Sequence, residues 1–271
     1  MNTKFSVLMS VYIKEHPSFL RQSLDSVFCQ TLPPDEVVLI EDGPLTDELH
    51  GVIAEYRDKH PELKVYPQEH NAGLGSALNI GLKLCTNDLV ARMDTDDICH
   101  PDRFEKEVKF MTEHPDIDIC GSNLDEFDGD PSCVRSHKVV PEMHDEIVKY
   151  ARRRNPINHP TAIYRRDKVL AVGGYQGFPE DYCLCIKMIM GGCRFHNLQE
   201  SLLHFRFTDD AIRRRGGWQH AKEDFKSQLF FYRIGFTNLF EFITNCMIRM
   251  SVRIIPNSLR VMFYKKILRK E

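Results

Sequence analysis

The sequence predicts an α/β fold with a mostly parallel central sheet, and two observations lead to this class. From Phe5 to Met93, short apolar runs alternate with segments of helical periodicity, which is the pattern of successive strand–helix units. The chain has 271 residues, of which 42% are hydrophobic, and this is enough for a sizeable buried core. We therefore expect a globular protein whose sheet is flanked by helices.

The strand–helix units are clearest before residue 94. The helix after the first strand has apolar residues at helical spacing, and a polar helix follows near 46–60. A later helix is predicted in GSALNIGLKL. The predicted strands are, in chain order, FSVLMSVY, EVVLI, LKVYP and DLVARM.

The pattern continues less regularly beyond residue 100. Pro101 suits the first turn of a helix that Pro115 closes. A strand and a loop are predicted in DIDICGSNLDEF, a helix in PEMHDEIVKYARRR, and a strand in TAIYRR. After a glycine turn at Gly173 and Gly174, a helix is expected from near Glu180 to the glycines at 191 and 192.

The C-terminal segment, residues 236–270, interleaves apolar residues with bases, and Pro256 is expected to divide it into two helices. Apolar residues opposite Lys and Arg are typical of helices that lie on an anionic membrane surface. The alternative is two ordinary helices that pack on the domain with a solvated basic face. No window of about twenty residues is free of charge, so a membrane-spanning helix is not expected.

Composition excludes some functions and one kind of site. The formal net charge is -3 with 28% charged residues, whereas nucleic-acid binders usually have a strongly basic domain. Nine cysteines occur without a C-x-x-C pair, so we expect buried, unreactive thiols in a reducing cytosol rather than disulfides or a zinc–thiolate site. The apolar N-terminal stretch is better explained as a first strand than as a signal peptide.

Polar residues follow the ends of the predicted strands, where open parallel sheets bind ligands. The most acidic group is Asp94, Asp96 and Asp97 in VARMDTDDICHPDR. Close carboxylates repel one another, and Mg²⁺ typically binds one or two carboxylates together with substrate phosphates. The pattern predicts a divalent-cation site that holds a diphosphate. The alternative is that Asp96, Asp97 or Asp102 only caps the helix that follows.

Nucleotide recognition is expected beside such a site, but the chain lacks both the P-loop and the dinucleotide-binding glycine pattern. Asp42 instead ends the strand VVLIE. A carboxylate there can accept a hydrogen bond from the ring N–H of uracil or thymine. Alternatively, Asp42 only forms the turn in EDGP.

These motifs together resemble those of the family-two glycosyltransferases, over roughly the first 210 residues. In more detail, the chain is similar to bacterial members that build capsule, exopolysaccharide or O-antigen repeat units. Several motifs in the right order are far more specific than any one of them. They are SVLMSVY (6–12), EVVLIEDG (36–43), NAGLGSALNIGL (71–82), ARMDTDD (91–97), NPINHPTAIYRR (155–166) and FPEDYCLCIKM (178–188).

The resemblance implies a GT-A fold with a Rossmann-like sheet and a helical C-terminal extension. Residues 1–100 would form the nucleotide-sugar half, 101–215 the acceptor half, and 216–271 the extension. It also implies inversion at the anomeric carbon and a Mn²⁺ or Mg²⁺ cofactor. By motif, Asp94 is expected near the ribose and either Asp96 or Asp97 as the chief metal ligand. The other nucleotide-sugar residues implied are Ser10, Tyr12, Asp42, Asn71, Gly73 and Asn79.

Glu180 and Asp181 match the Glu-Asp pair of the family, in which the aspartate is the catalytic base. Inversion requires a base that takes the acceptor proton, and a partly buried carboxylate near other acids suits this task. The pair could also cap the following helix, and both roles are compatible. Acceptor or diphosphate contacts are predicted for His159, Arg206, Arg213 and Trp218. Each has a structural alternative, such as a core histidine, a solvated arginine face or an anchor for the tail.

The expected function is metal-dependent, inverting transfer of a hexose or N-acetylhexosamine in surface polysaccharide synthesis. The expected donor is a nucleotide sugar, with UDP favoured, and the acceptor a polyprenyl-diphosphate-linked glycan. The protein would lie in the cytoplasm, peripherally at the inner face of the cytoplasmic membrane, and would not bind nucleic acid. One alternative is a non-catalytic protein with a transferase-like fold. A weaker alternative is an aspartyl-phosphate phosphatase. DTDDI resembles the D-x-D-x-[TV] signature of that class only superficially, because several strand–helix units precede DTDDI here.

Overall fold

The computed structural model describes residues 3–208 and 217–254. In this part of the chain a single sheet contains nine strands in the order β3-β2-β1-β4-β8-β6-β9-β5, with β7 paired to β6. The strands are β1 Phe5–Val11, β2 Glu36–Glu41, β3 Leu63–Pro67, β4 Leu89–Arg92, β5 Ile98–Cys99, β6 Ile119–Phe127, β7 Val134–Lys138, β8 Ile163–Arg165 and β9 Phe195–Arg206.

Up to residue 254, the described helices include the segments that the sequence predicts as helical and one further helix, Arg166–Ala171, that was not predicted. A short 3₁₀ turn, His159–Thr161, precedes β8. The α-helices are α1 Pro17–Phe28, α2 Asp47–Lys59, α3 Leu74–Leu84, α4 Arg103–Glu113, α5 His144–Ala151, α6 Arg166–Ala171, α7 Glu180–Met190, α8 Trp218–Arg233 and α9 Leu239–Ile254.

The first four strands form the parallel part of the sheet. β1 pairs in parallel with β2 and with β4, and β2 pairs in parallel with β3. Their apolar residues alternate between two cores: Val7 and Met9 pack under α1, α2 and α4, whereas Leu8 packs under α3 and α7. Both faces are therefore covered by helices, as expected for parallel strands.

Beyond β4 the sheet becomes mixed, which differs from a simple continuation of parallel units. β8 runs antiparallel to both β4 and β6, while β9 runs parallel to β6 and antiparallel to β5. β8 begins directly after the 3₁₀ turn rather than after a crossover helix, which a parallel neighbour would require. The parallel arrangement is thus confirmed for β1–β4 and holds again between β6 and β9.

The C-terminal helices pack against α5 and α7. Phe231 of α8 and Phe236 join Tyr182 and Ile186 of α7 in a separate apolar cluster. Asn245 of α9 donates a 2.7 Å hydrogen bond to the carbonyl of Arg152. α9 is thus anchored on one side, in agreement with the packing alternative for this segment. The second helix expected after Pro256 lies outside the described residues.

The opposite side of α9 is apolar and exposed. Its exposed residues are Leu239, Phe240, Ile243, Met247 and Ile248. Among residues 3–208 and 217–254, no helix has the length and hydropathy required to cross a membrane.

The thiols agree with the sequence prediction. All nine cysteines are free, and only Cys29 and Cys133 are exposed. Burial raises the pKa of the Cys120 and Cys185 thiols, so these groups are inert at neutral pH.

Candidate active site

The polar residues expected at strand ends lie along one edge of the sheet. β1, β2 and β4 are parallel neighbours, so their carboxyl ends meet at this edge. Ser10 is in β1 and its carbonyl accepts a hydrogen bond from Thr95. Tyr12 follows the strand and is 37% exposed. The edge therefore brings these residues together with Asp42 and the aspartates after β4.

Asp42 organises the loop that precedes α3. Its carboxylate accepts hydrogen bonds from the backbone N–H groups of Ala72, at 2.8 Å, and Gly73, at 3.1 Å. Asn71 donates to the Asp42 carbonyl at 3.0 Å. Gly73 has φ +88°, a left-handed conformation that side chains disfavour. Asp42 is thus more than the turn residue of EDGP, because it fixes the glycine loop beside the edge.

Asn79 has a structural partner in this region. Its side-chain NH₂ donates to the Tyr175 carbonyl at 2.6 Å, and its side-chain oxygen accepts from the Tyr175 N–H at 2.8 Å. Both ends of the amide therefore hold the turn after Gly174, where an added Cβ would lie 2.2 Å from the Asn79 oxygen. Nucleotide contact by Asn79 stays a prediction, and its observed contacts position the loop before α7.

The aspartate cluster lies at the end of β4. Carboxylate oxygens of Asp94, Asp96 and Asp97 all lie within 4.8 Å of one another. Asp94 forms an ion pair with the buried guanidinium of Arg92. Asp97 is fully buried and accepts a 2.8 Å hydrogen bond from the backbone N–H of Arg206. The cluster therefore contains one anchored carboxylate and two that are partly exposed.

Arg206 supplies a second positive charge to the cluster. Its Nε donates to the Asp96 carbonyl at 2.9 Å, and a terminal nitrogen donates to Gln22 at 2.7 Å. The guanidinium lies between the rings of Phe19 and Phe127. Arg206 is the last residue of β9 and is only 6% exposed. The strand and these contacts hold Arg206 in place, and its contact with the acceptor or the diphosphate stays a prediction.

The two arginines do not fully offset the repulsion within the cluster. Burial, Asp94 and Glu15 raise the pKa of Asp96 to about 7. Burial and its two neighbouring aspartates also raise the pKa of Asp97 well above its ordinary value. One Asp97 oxygen is buried without a hydrogen-bond partner. An oxygen-only donor set with excess negative charge fits Mg²⁺ or Mn²⁺.

The capping alternative for the cluster does not account for this geometry. Asp102 occupies the N-cap position of α4, but its side chain makes no capping hydrogen bond and pairs with Lys106 instead. Neither Asp96 nor Asp97 lies at the helix start. The carboxylates at 94–97 therefore need another explanation than a cap.

The second acidic group begins α7. Pro179 is the N-cap residue, and Glu180 and Asp181 lie in the first turn, where negative charge is favourable. One Asp181 oxygen accepts a 2.6 Å hydrogen bond from Asn155, and the other accepts from the N–H of Tyr182 at 2.8 Å. Burial and Asp181 raise the pKa of Glu180 to about 6. Asp181 is therefore oriented, while Glu180 is partly desolvated.

A cavity of about 370 Å³ connects the two acidic groups. Its lining includes Arg92 and Asp94 together with Glu180 and Asp181. The cavity is also lined by Lys138, Asn155, His159, His220, Arg249 and Arg253. One open space is thus in contact with Asp94 of the strand-end cluster and with both carboxylates of α7.

The remaining predicted residues have different environments. His159 lines the cavity, and its Nε2 lies 3.2 Å from the Tyr175 hydroxyl. Burial, with Arg92 nearby, lowers the pKa of His159 well below its ordinary value, so the ring is neutral. Trp218 begins α8 and is 59% exposed, so it does not anchor the tail to the core. Arg213 lies outside the described residues.

The sequence analysis missed several residues of the cavity. Asn155 belongs to the quoted NPINHPTA motif, but nothing in the sequence indicates that it would meet Asp181, 26 positions away. Arg92 could have been suspected, because a charged residue interrupts a buried strand. Arg249 and Arg253 were assigned to a basic face, whereas they line the cavity beside Asp224, which is 2% exposed.

Comparison with known proteins agrees with this geometry. Residues 6–173 match the model of glycosyl transferase family 2. A UDP-Gal:alpha-D-GlcNAc-diphosphoundecaprenol beta-1,3-galactosyltransferase from Escherichia coli is 41% identical over 269 residues, covering 98% of this chain and 97% of that protein. An amylovoran biosynthesis glycosyltransferase from Erwinia amylovora is 38% identical over 264 residues, covering 97% and 98%.

Solved structures with the same fold are more distant in sequence. Residues 1–349 of TarS from S. aureus, in complex with UDP-GlcNAc, align with a TM-score of 0.66 and 21% identity, covering 84% of this chain and 66% of that one. A mannosyltransferase from Pyrobaculum calidifontis, in complex with GDP-Man and Mn²⁺, has a TM-score of 0.66 at 17% identity, covering 96% and 72%. The chain therefore belongs to glycosyl transferase family 2 and is a glycosyltransferase with the GT-A fold.

Proposed function

We propose that the protein transfers a hexose or N-acetylhexosamine from a UDP-sugar to a lipid-diphosphate-linked glycan during surface polysaccharide synthesis. Transfer would be metal-dependent and would invert the anomeric carbon. The observation that carries the proposal is the single cavity lined both by Asp94, from the strand-end cluster, and by Glu180 and Asp181. A displacement at carbon needs a stabilised leaving group on one side and a base on the other.

The leaving-group side would be the aspartate cluster. A bound Mg²⁺ or Mn²⁺ supplies Lewis acidity that offsets charge on the departing diphosphate. We assign Asp96 as its chief ligand, because Asp97 is fully buried and one of its oxygens already accepts from Arg206. Asp94, held by Arg92, would face the ribose. Ser10, Tyr12, Asn71 and Gly73 would complete the nucleotide side along the sheet edge.

The acceptor side would be the start of α7. Asp181 would take the proton from the acceptor hydroxyl as that oxygen attacks the anomeric carbon. The N–H of Tyr182 and the side chain of Asn155 hold both oxygens of the carboxylate in a fixed orientation. Glu180 would shape the acceptor pocket.

The proposed acceptor carries a diphosphate, and two guanidinium groups that line the cavity support this. Arg249 and Arg253 both contact the carboxylate of Asp224, at 3.4 Å and 2.6 Å, and both line the cavity. Guanidinium groups suit phosphate oxygens. The Escherichia coli relative is named for a GlcNAc-diphosphoundecaprenol substrate, and its similarity extends over almost the entire chain.

We also assign the protein to the inner face of the cytoplasmic membrane, with α9 as the contact. The exposed apolar residues of this helix lie near Lys149, Arg152, Arg153 and Arg154, which line the same groove as Phe240 and Ile248. An apolar face bordered by bases matches an anionic lipid surface. The double variant with Phe240→Ser and Met247→Ser should float less with phosphatidylglycerol vesicles than the unmodified protein. The control is Val139→Ser, which changes a residue that is 62% exposed elsewhere on the surface and should leave flotation unchanged.

The decisive experiment is a screen of nucleotide sugars by thermal shift and hydrolysis, with Mn²⁺ and with a chelator. We expect a UDP-sugar to raise the melting temperature only when Mn²⁺ is present, and we expect slow hydrolysis of that donor. NMR of the product formed on a synthetic lipid-diphosphate acceptor should show a β-linkage from an α-linked donor. A retained configuration would refute the inverting mechanism.

Two other functions would give different results in this screen. Absence of any nucleotide effect would favour a non-catalytic binding protein. Hydrolysis of a phosphomonoester without a nucleotide requirement would favour a phosphatase. The phosphatase is opposed by the position of Asp94 after β4, preceded by three parallel strands.

A further inference from the structure

A second group of potential metal ligands lies outside the proposed catalytic cavity. It consists of His100, Asp125 and His204, each of which offers a ligand atom within 4.8 Å of the other two. His100 follows β5, Asp125 lies in β6, and His204 lies in β9. His204 is opposite both Ile98 and Asp125 in the sheet register. Three strands that are distant in sequence therefore converge on this histidine–carboxylate cluster.

Two buried nitrogens in the histidine–carboxylate cluster have no hydrogen-bond partner. They are Nε2 of His100 and Nδ1 of His204. Nε2 of His100 is 3.5 Å from the Asp125 carboxylate, and the two imidazole rings lie 4.2 Å apart. Unpartnered buried nitrogens cost free energy, and a ligand that accepts their lone pairs would remove this cost. Burial lowers the pKa of both imidazoles, which is compatible with neutral, metal-binding rings.

Asp125 is positioned as the third ligand. The side chain of Asp125 is 9% exposed, and one oxygen lies 2.7 Å from Nδ1 of His137. His137 belongs to the neighbouring strand β7 and is 62% exposed. The carboxylate is thus oriented by a partner at the surface, as the carboxylates of metal sites commonly are.

We propose that His100, Asp125 and His204 bind one transition-metal ion, with Zn²⁺ the best match. Two imidazoles and one carboxylate are a common zinc donor set, completed by water or a fourth residue. Bonds of about 2.0–2.1 Å place tetrahedral ligand atoms about 3.4 Å apart, and Nε2 of His100 already lies 3.5 Å from the Asp125 carboxylate. The aspartate cluster has only oxygen donors and favours Mg²⁺ or Mn²⁺ instead. The chain thus has two chemically distinct cation sites.

The ion would connect the strands that hold the aspartate cluster. Arg206 follows His204 by two residues in β9, and its N–H binds Asp97. The N–H of His100 donates to the Leu202 carbonyl of the same strand. A metal bound by His100 and His204 therefore fastens β5 to β9 next to this contact, and its predicted effect is on thermal stability.

The test is calorimetric titration of the chelator-treated full chain with Zn²⁺, in saturating Mg²⁺ to occupy carboxylate sites. We expect one Zn²⁺ per chain, a rise in melting temperature, and an intense visible spectrum when Co²⁺ replaces Zn²⁺. His204→Gln should weaken Zn²⁺ binding by about 100-fold. The matched control is His196→Gln, which changes a partly buried histidine of the same strand and should leave the affinity unchanged.

Two further measurements keep the test decisive. Asp96→Asn should retain Zn²⁺ binding, because that residue belongs to the other cluster. If His204→Gln does not fold, His100→Gln and the Co²⁺ spectrum of the unmodified chain take its place. No stoichiometric Zn²⁺ binding, or equal affinity in the His204→Gln and His196→Gln variants, would overturn the proposal.

Discussion

The two acidic groups that border the cavity are held in different ways. The aspartates at 94–97 follow a buried strand, and two arginines lie against them. Glu180 and Asp181 begin a helix, where backbone N–H groups and Asn155 hold Asp181. The first group retains excess negative charge that suits a cation, whereas the second holds one carboxylate in a fixed direction that suits proton transfer. Similar residues thus acquire different chemistry from the elements that present them.

The largest expected effect comes from Asp181→Asn. We expect the turnover number to fall about 1,000-fold, because the amide cannot accept the acceptor proton. The affinity for a UDP-sugar with Mn²⁺ should stay within about twofold, as measured by calorimetry. Asp96→Asn is the contrasting variant, since it should abolish the effect of Mn²⁺ on donor binding. If both variants lost donor binding equally, the proposed division between the two groups would fail.

Arg206→Met should have the largest effect on stability. It removes the positive charge of a residue that is 6% exposed. The negative charge of the nearby carboxylates is then less well offset. Loss of the hydrogen bonds that Arg206 donates to the Asp96 carbonyl and to Gln22 should lower the free energy of unfolding by about 3 kcal/mol, measurable by urea denaturation. Arg21→Met is the control, because its ion pair with Glu55 is exposed and should change stability by about 0.5 kcal/mol. Similar losses for both variants would contradict the role given to Arg206.

Asn155→Ala tests how Asp181 is oriented. Loss of the 2.6 Å hydrogen bond to the carboxylate should lower the turnover number about 10-fold, as expected for a hydrogen bond to a charged group. The acid limb of the pH profile should also move to higher pH, because the bond stabilises the ionised form of Asp181. An unshifted profile would indicate that Asn155 supports only the fold.

The smallest expected effect is the contribution of Glu180 to the pH dependence of protein stability. Its pKa in the folded protein is about 6, raised from 4.5 mainly by burial. The corresponding stabilisation is present below pH 4.5 and is lost as the pH rises through 6. Between about pH 4 and about pH 8, the free energy of unfolding should fall by about 2 kcal/mol less in Glu180→Gln than in the unmodified protein. Both proteins are measured in the presence of a chelator. An unchanged pH dependence would show that Glu180 is not desolvated in the folded state.

Much of the sheet edge that carries Asp42 and the aspartate cluster could be predicted from the sequence. Strand periodicity locates β1, β2 and β4, and parallel pairing then requires their polar ends to meet. For this reason Asp42 and Asp94 were found without knowledge of the tertiary structure. The helix that begins at Glu180 was also predicted, since Gly191 and Gly192 mark its end.

The contacts around α7 and the C-terminal helices could not be predicted in the same way. Asn155 meets Asp181 and Arg249 approaches Asp224 only through the packing of separate elements, and no local pattern encodes such contacts. Nor does any local pattern indicate that β9 brings Arg206 next to the aspartate cluster.

By itself, the sequence determined the strand–helix order, the acidic strand end and the Glu-Asp pair at a helix start. These features depend on periodicity and on neighbouring residues, which the sequence displays directly. Only the tertiary structure decided which cations lie beside Asp97, which side chain orients Asp181, and how His100, Asp125 and His204 converge. Those contacts join residues up to about a hundred positions apart, and they exist only once the mixed part of the sheet has formed.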